Sequence, residues 1–177
     1  MEERPPRPSR IRVTGLQDVH LDDVVAIDRS CKELLWRAGV APSEAPARDL
    51  AEIGRLPKLH NVRVAEADAL IAGYLAWRDE SPGVGVLEEL CVRPDLQRYG
   101  VGTALLKRGC EEARKIGLSV LLTRHWVKAT WAEAFLRVSG FRVKDATAPA
   151  LVGQWCEEQI ANGSPLKEGQ IVLWVAP

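Results

Sequence analysis

Apolar and polar positions follow one another along this chain with two different periods. Alternation of period two, or a short continuous apolar run, predicts a strand, whereas apolar residues every three or four positions predict a helix. Strands are predicted at residues 10–14, 61–66, 69–78, 84–92, 119–123, 141–144 and 170–175. Helices are predicted at residues 21–36, 48–56, 101–116, 128–138 and 149–161. This order, in which helices interrupt a series of strands, predicts an α/β (α+β) fold with a mixed sheet flanked by helices on both faces.

Glycine and proline mark several boundaries of these elements. Ser81-Pro82-Gly83 lies within a predicted turn at residues 79–83, because these residue types favour the backbone angles of tight turns. The second helix is expected to end before Pro57, since the residue before a proline avoids helical geometry. Gly117 occupies the place where the third long helix needs its C-terminal cap.

Composition indicates an ordinary globular protein. The 177 residues are 46% hydrophobic and 27% charged, with a formal net charge of zero, which disfavours nucleic acid and anionic membrane as partners. No apolar run approaches the length of a membrane span or a secretory signal. We therefore expect a cytoplasmic protein with a polar, disordered tail at residues 1–9 and one domain at residues 10–177. The four cysteines form no CxxC pair and the three histidines complete no zinc pattern, so no metal is expected.

The segment QRYGVG at residues 97–102, between a predicted strand and a predicted helix, has the character of a phosphate site. Gly100 and Gly102 let the backbone turn tightly and approach a ligand closely. Backbone N–H groups at the start of the helix attract anions, while Arg98 adds a positive charge and Thr103 a hydroxyl. These features suit a pyrophosphate.

Two other phosphate motifs fail at residues that they require. A Walker A loop needs a lysine after its last glycine, but Thr103 follows Gly102 here. A dinucleotide fingerprint needs a third glycine, where this chain has Leu105, and an acidic residue about 20 positions further on, where it has Arg124 and His125.

Residues 90–102, LCVRPDLQRYGVG, match the pattern L-x-V-x-P-x-x-(Q/R)-x-x-G-x-(G/A) at every defined position. A second pattern, A-x-x-F-Y-x-x-x-G-F, is matched by residues 132–141 except that Leu136 replaces the tyrosine. Through both patterns the chain resembles the GNAT superfamily of N-acetyltransferases, over about residues 10–144.

This resemblance implies an acetyl-CoA-dependent enzyme and a V-splayed sheet of about seven strands, which opens between the parallel strands at residues 84–92 and 119–123. Coenzyme A would lie in that opening, and a backbone N–H near Cys91 or Val92 would stabilise the thioester oxygen. The cofactor-binding residues implied are Leu90, Cys91, Val92, Gln97, Arg98, Tyr99, Gly100, Val101, Gly102 and Thr103.

Two adjacent carboxylates, Glu88 and Glu89, are the candidate catalytic residues. An alkylamine is mostly protonated at neutral pH, so a residue must accept its proton before attack. Side chains alternate along a strand, and Glu88 shares a face with Leu90 and Val92. In the family that the chain resembles, catalytic or acceptor-binding side chains usually come from that face, four or six residues before the valine of the signature. The resemblance therefore implies that Glu88, four residues before Val92, is the base, directly or through water, or binds the ammonium group. Leu87-Glu88-Glu89 also resembles a segment of diamine and polyamine acetyltransferases.

The family's proton donor to the leaving thiolate is absent, because Leu136 stands at the tyrosine position and Ala129 at that of a usual asparagine. Another donor such as His125, unassisted departure of the thiolate, or weak activity would each account for this. Trp126 and Trp131 either line an acceptor pocket or pack in the core or an interface.

Three functions are therefore compared: an N-acetyltransferase, a non-catalytic acyl-CoA-binding module, and a structural domain without ligand. For the enzyme, the partners expected are a small-molecule or protein amine and, through residues 149–177, a second copy of the chain.

Overall fold

The computed structural model of the chain describes residues 6–177. The helices are α1 (Leu21–Arg37), α2 (Leu50–Arg55), α3 (Val101–Lys115), α4 (Thr130–Val138) and α5 (Ala150–Ala161). The strands are β1 (Ile11–Gly15), β2 (Asn61–Ala67), β3 (Leu70–Ser81), β4 (Val84–Val92), β5 (Val120–Trp126), β6 (Arg142–Val143) and β7 (Gln170–Val175). Hydrogen bonds join these strands into one seven-stranded sheet in the order β1-β2-β3-β4-β5-β7-β6. The predicted fold class and strand number are confirmed.

The chain divides into two compact units, and the first comprises the described part of Met1–Trp77 together with Glu89–Gly109. In this unit β1, β2 and β3 pair antiparallel. Helices α1 and α2 pack on the face of β3 that carries Tyr74. Leu75 points to the opposite face, because strand side chains alternate, and there its methyl groups approach Gly109 of α3 closely. The sheet of the first unit is therefore covered by helices on both faces.

The second unit comprises Arg78–Glu88 and Cys110–Pro177. The start of β4 pairs parallel with β5, but only from Val84↔Val120 to Val86↔Leu122. Leu87 and Glu88, the next residues of β4, do not pair with β5. This early end of the pairing agrees with a sheet that splays open between β4 and β5. Strand β5 also pairs antiparallel with β7, and α5 packs Val152 and Trp155 onto the face of this sheet.

The largest differences between the predicted and the observed boundaries lie at the ends of two strands. Strand β3 continues to Ser81, so the hairpin loop is Pro82-Gly83 rather than residues 79–83, and Gly83 adopts a φ of 80° there. Strand β5 extends to Trp126 instead of ending at residue 123, because β7 pairs with it as far as Trp126↔Gln170.

The predicted disordered tail falls partly on residues 1–5, which lie outside the described part of the chain. At its other end the backbone N–H and the hydroxyl of Ser9 each donate to the carboxylate of Asp68, at 2.8 Å, and the tail at residues 1–9 remains a prediction. No helix among residues 6–177 is long and apolar enough to cross a membrane.

Candidate active site

The loop after β4 turns tightly in front of α3. A single 3₁₀ turn at Pro94–Leu96 leads into it. Arg98 and Gly100 then adopt left-handed backbone conformations, with φ of 68° and 91°. A left-handed conformation is uncommon for a residue with a side chain and is concentrated at functional sites and turns. The loop thus has the local geometry of a binding loop.

Residues present in this loop fit a pyrophosphate. A Cβ placed on Gly100 would meet no atom closer than the Ile11 Cδ1, at 3.9 Å, so the space beside the glycine is open. The first N–H groups of α3 have no acceptor within the helix, and they lie at the positive end of its dipole. Arg98 and Thr103 are exposed. The loop therefore offers backbone donors, a guanidinium and a hydroxyl to an anion.

The end of β4 is tied to this loop through the carbonyl of Val92. The Gln97 side-chain amide donates to that carbonyl at 3.4 Å, and the Cys31 thiol of α1 donates to it at the same distance. Gln97 thus supports the loop from within, while its neighbours Arg98 and Gly100 remain exposed.

A close backbone contact with β3 also fixes β4 at Cys91, one residue before Val92. A Cβ on Gly73 of β3 would lie 2.5 Å from the carbonyl oxygen of Cys91. Only glycine permits that approach. The segment at Leu90, Cys91 and Val92, which the resemblance implies to bind coenzyme A, therefore depends on a residue that has no side chain.

Glu88 lies in the second unit, at the end of its part of β4. Its carboxylate accepts a hydrogen bond from Arg78 Nη1, and its side chain remains 31% exposed. Arg78 also donates through Nε to Glu80, at 2.6 Å. Glu88 is therefore an accessible carboxylate with one guanidinium beside it.

Glu89 lies in the first unit and is enclosed by two cations. Lys32 Nζ donates to both of its oxygens at 2.9 Å, and Arg48 Nη1 donates to one of them. Burial alone would raise the pKa of Glu89, but the two cations outweigh burial and lower it. This arrangement favours a structural role for Glu89, and its predicted part in catalysis remains a prediction.

Asp28 of α1 completes this ionic network. It is fully buried and accepts hydrogen bonds from the backbone N–H of Arg48 at 2.8 Å and from the hydroxyl of Tyr74. Burial raises the pKa of Tyr74, so the hydroxyl remains a donor. The network of Asp28, Lys32, Arg48, Tyr74 and Glu89 thereby holds the connection between α1 and α2 against the sheet of the first unit.

Sequence reasoning missed four of these five network residues and Arg78. Asp28 and Lys32 are spaced four residues apart on α1, beside its apolar stripe, and that spacing was a usable signal for a buried pair. Arg48 had no signal, because it lies in a loop and meets its partners only in the fold.

One potential metal-binding group is present among the described residues: ligand atoms of Asp28, Glu89 and Cys91 lie within 4.8 Å of one another. Lys32 and Arg48 already neutralise the carboxylates, so the group suits an internal ion pair better than a metal ion. The expected absence of a metal remains a prediction.

The two positions at which the family usually carries polar side chains, residues 129 and 136, offer no proton donor here. Leu136 and Ala129 are 6% and 2% exposed, and neither side chain can donate a hydrogen bond. His125 is buried within β5, at 6% exposure, because the strand continues past residue 123 to Trp126. Burial lowers the pKa of His125, and its Nε2 has no hydrogen-bond partner among the described residues.

The two tryptophans considered for an acceptor pocket differ in exposure. Trp131 is 41% exposed on α4. Trp126 ends β5 and has Lys167 Nζ 6.0 Å from its ring centroid. A cation therefore already lies over the ring of Trp126.

Comparison with known proteins shows which family the chain that carries this loop and helix belongs to. The model of the acetyltransferase (GNAT) family matches residues 24–141, well over half of the chain. The chain belongs to the GNAT family. Its sequence is 31% identical, over 99 residues, to mycothiol acetyltransferase of Mycolicibacterium vanbaalenii, with 54% of this chain aligned. The GNAT chain thus covers about a third, 32%, of the length of that relative.

Solved structures of other acetyltransferases share the fold. The PaiA N-acetyltransferase from Thermoplasma acidophilum, in complex with coenzyme A, has a TM-score of 0.72 at 14% identity, covering 95% of this chain and 99% of its own. N-acetylglutamate synthase from Neisseria gonorrhoeae, complexed with coenzyme A and N-acetyl-glutamate, has a TM-score of 0.66 at 18% identity, covering 95% of this chain and 35% of its own. At these identities the likeness extends to the fold.

Proposed function

We propose that this GNAT protein transfers an acetyl group from acetyl-CoA to an amine by direct attack. The observation that carries the proposal is the loop at residues 97–103, in which left-handed Arg98 and Gly100 precede the N-terminus of α3. Its family membership and the coenzyme A bound to a protein of the same fold support the proposal.

In this proposal the loop holds the pyrophosphate of coenzyme A. The first N–H groups of α3 donate to phosphate oxygens, and Arg98 and Thr103 contribute charge and a hydroxyl. Leu90, Cys91 and Val92 present backbone groups to pantetheine, and an N–H at Cys91 or Val92 stabilises the thioester oxygen as it becomes negative.

Glu88 accepts the proton of the acceptor amine, directly or through water. Its exposure allows access, and the hydrogen bond from Arg78 orients its carboxylate. No side chain at residues 129 or 136 donates to the leaving thiolate. An ordinary thiol has a pKa of about 8.5, so departure of the thiolate without a donor is not prohibitive.

The acceptor is a small-molecule or a protein amine. A homodimer formed through residues 149–177 and a cytoplasmic location remain predictions, as does the absence of nucleic-acid and membrane partners.

The second candidate is a non-catalytic acyl-CoA-binding module. The buried apolar residues Leu136 and Ala129 favour this binding module. They stand where the family usually has a tyrosine and an asparagine, so the polar side chains of these positions are missing. It keeps the loop and its ligand but assigns no reaction to Glu88.

Calorimetry with coenzyme A tests the ligand. Gly100→Glu should abolish binding, because the acid intrudes on the open space and repels phosphate. Gly117→Glu is the matched control: Gly117 also has a positive φ, of 82°, and no neighbour within 4 Å, so the backbone strain is comparable. Equal affinity in both variants would exclude the loop as the coenzyme A site.

Thiol release with a panel of amines tests the reaction. Release that depends on an amine supports the transferase, whereas tight coenzyme A binding without release by any amine supports the binding module.

A further inference from the structure

A small cavity lies in the second unit, between α5 and the segment that follows it. Its volume is about 220 Å³, enough for several water-sized groups. The lining consists of Trp155, Cys156, Gln159, Ile160, Pro165 and Leu166. Five of these side chains are apolar or weakly polar, so the cavity suits an apolar group of modest size.

The guanidinium of Arg124, on β5, lies outside the lining itself but contacts side chains that line the cavity. Its Nη2 donates to Gln159 Oε1, and its Cζ lies 5.3 Å from the ring centroid of Trp155. Both nitrogens Nη1 and Nη2 lie 3.3 Å from the hydroxyl of Ser164, which immediately precedes Pro165. Arg124 thus contacts two lining residues and the neighbour of a third.

The positive charge of Arg124 has no carboxylate in direct contact among the described residues. Its partners are an amide, a hydroxyl and an aromatic ring, and its Nε and one N–H of Nη1 have no recorded acceptor. Glu80 is one residue removed, since Gln159 donates to it at 3.2 Å. Burial and the charge of Arg78 both lower the pKa of Arg124. An additional anion would therefore give the Arg124 guanidinium the opposite charge that it lacks.

We propose that the cavity binds a small carboxylate with an apolar body, that Arg124 recognises the carboxylate, and that this group belongs to the acceptor amine. A guanidinium presents a planar fork that matches a carboxylate, and the lining matches an aliphatic side chain. The positive charge of Arg124 repels the ammonium groups of polyamines. The acceptors that fit the cavity are therefore amino acids with apolar side chains. The assignment to the acceptor rests on the proposed function, whereas the binding site does not.

Continuous contacts connect this cavity with the proposed base. Glu88 contacts Arg78, Arg78 contacts Glu80, and Glu80 accepts from Gln159. Gln159 in turn accepts from Arg124. The carboxylate-binding residue and the proton-accepting residue thus belong to one polar network.

Binding is tested on the full chain with 4-methylpentanoate and its neutral isostere 4-methylpentanamide, measured by calorimetry. The wild type should bind the carboxylate at least about tenfold tighter than the amide, the usual effect of a charge-assisted hydrogen bond. Arg124→Gln should abolish that preference. Arg142→Gln should keep it, because Arg142 also lies over a tryptophan, 4.2 Å from the ring centroid of Trp174, but that tryptophan does not line the cavity. Equal binding of both probes, no binding of either, or a preserved preference in Arg124→Gln would overturn the site.

A second pair of variants applies if Arg124→Gln does not fold. Leu166→Trp should fill the cavity and lose both probes, and Arg124→Lys should keep part of the preference through its charge. Unchanged affinities in both would also overturn the site.

The acceptor assignment is tested separately with leucine and leucinamide. Arg124→Gln should raise KM for leucine at least about tenfold with little change in kcat, and leave leucinamide unaffected. Binding of 4-methylpentanoate without acetylation of leucine would overturn the acceptor assignment while supporting the carboxylate site.

Discussion

Glu88 and Glu89 are neighbours on β4 with contrasting surroundings. Glu89 has a side chain only 13% exposed and contacts both Lys32 and Arg48. Glu88 is 31% exposed and contacts Arg78. One carboxylate is enclosed in a balanced ionic network, and the other keeps access to solvent.

The contrast separates stability from proton transfer. A buried carboxylate held by two cations stays ionised and is fixed in place, and removing Glu89 leaves Lys32 without a carboxylate partner and Arg48 with Asp28 alone. A carboxylate that is partly exposed can exchange a proton with an incoming group. We therefore expect substitutions at the two positions to change different measured quantities.

The largest effect is expected for Glu88→Gln, which should lower kcat by about 10²–10⁴-fold, the usual contribution of a positioned base. The loss should shrink as the pH rises, because more acceptor is already deprotonated. If Glu88 only binds the ammonium group, KM should rise with kcat little changed. Steady-state kinetics on the true acceptor distinguishes these cases.

Coenzyme A affinity is the control for that variant and should stay as in the wild type. Near-normal kcat and KM in Glu88→Gln would exclude both roles and favour the acyl-CoA-binding module.

Glu89→Gln should instead reduce the free energy of unfolding by about 3–5 kcal/mol, because Lys32 and Arg48 lose their shared partner. Denaturant titration measures this loss. The matched control is Glu133→Gln, whose exposed pair with Arg137 spans one helical turn at 2.8 Å and should contribute less than about 1 kcal/mol. Equal losses in the two variants would contradict a buried network at Glu89.

Lowering the pH should also weaken this network, with a smaller effect on the free energy of unfolding than Glu89→Gln. The pKa of Glu89 is lowered in the folded state, so its contribution is present above the ordinary value and is lost as the pH falls through the folded-state value. Unfolding free energy should therefore fall below about pH 5, less steeply in Glu89→Gln than in the wild type. Parallel pH profiles for the two proteins would speak against this linkage.

The smallest effect is expected for Tyr74→Phe. It removes one hydrogen bond to Asp28, which keeps its contacts with Arg48. A loss of about 1.5–3 kcal/mol in unfolding free energy follows from a hydrogen bond to a charged group, with kcat unchanged. A fall in kcat at full coenzyme A affinity would connect the network to catalysis after all.

Elements and motifs formed by one continuous stretch of sequence could be predicted. Contacts between residues far apart in the sequence could not. The ranges of β4 and β7 were predicted to the residue, because turn residues bound both apolar runs. The loop at residues 97–102 was located because its signature is continuous. Strand β5 was predicted too short, since its last residues depend on β7, more than 40 positions later.

Within the candidate site, the network around Glu89 and the position of Arg124 show the same limit. Arg48 reaches Glu89 across 41 positions, and Arg124 meets Gln159 across 35. A local pattern contains no information on such partners, because charged residues in loops and strand ends are usually solvated.

Gly73 would appear in a mutational scan as a false member of the proposed coenzyme A site. Any side chain at this position displaces the carbonyl of Cys91, which a Cβ would approach to 2.5 Å, and the displacement passes along the backbone to Val92 and the loop that it supports. Variants at Gly73 should therefore score like substitutions of ligand-binding residues, although the residue itself has no side chain with which to touch a ligand.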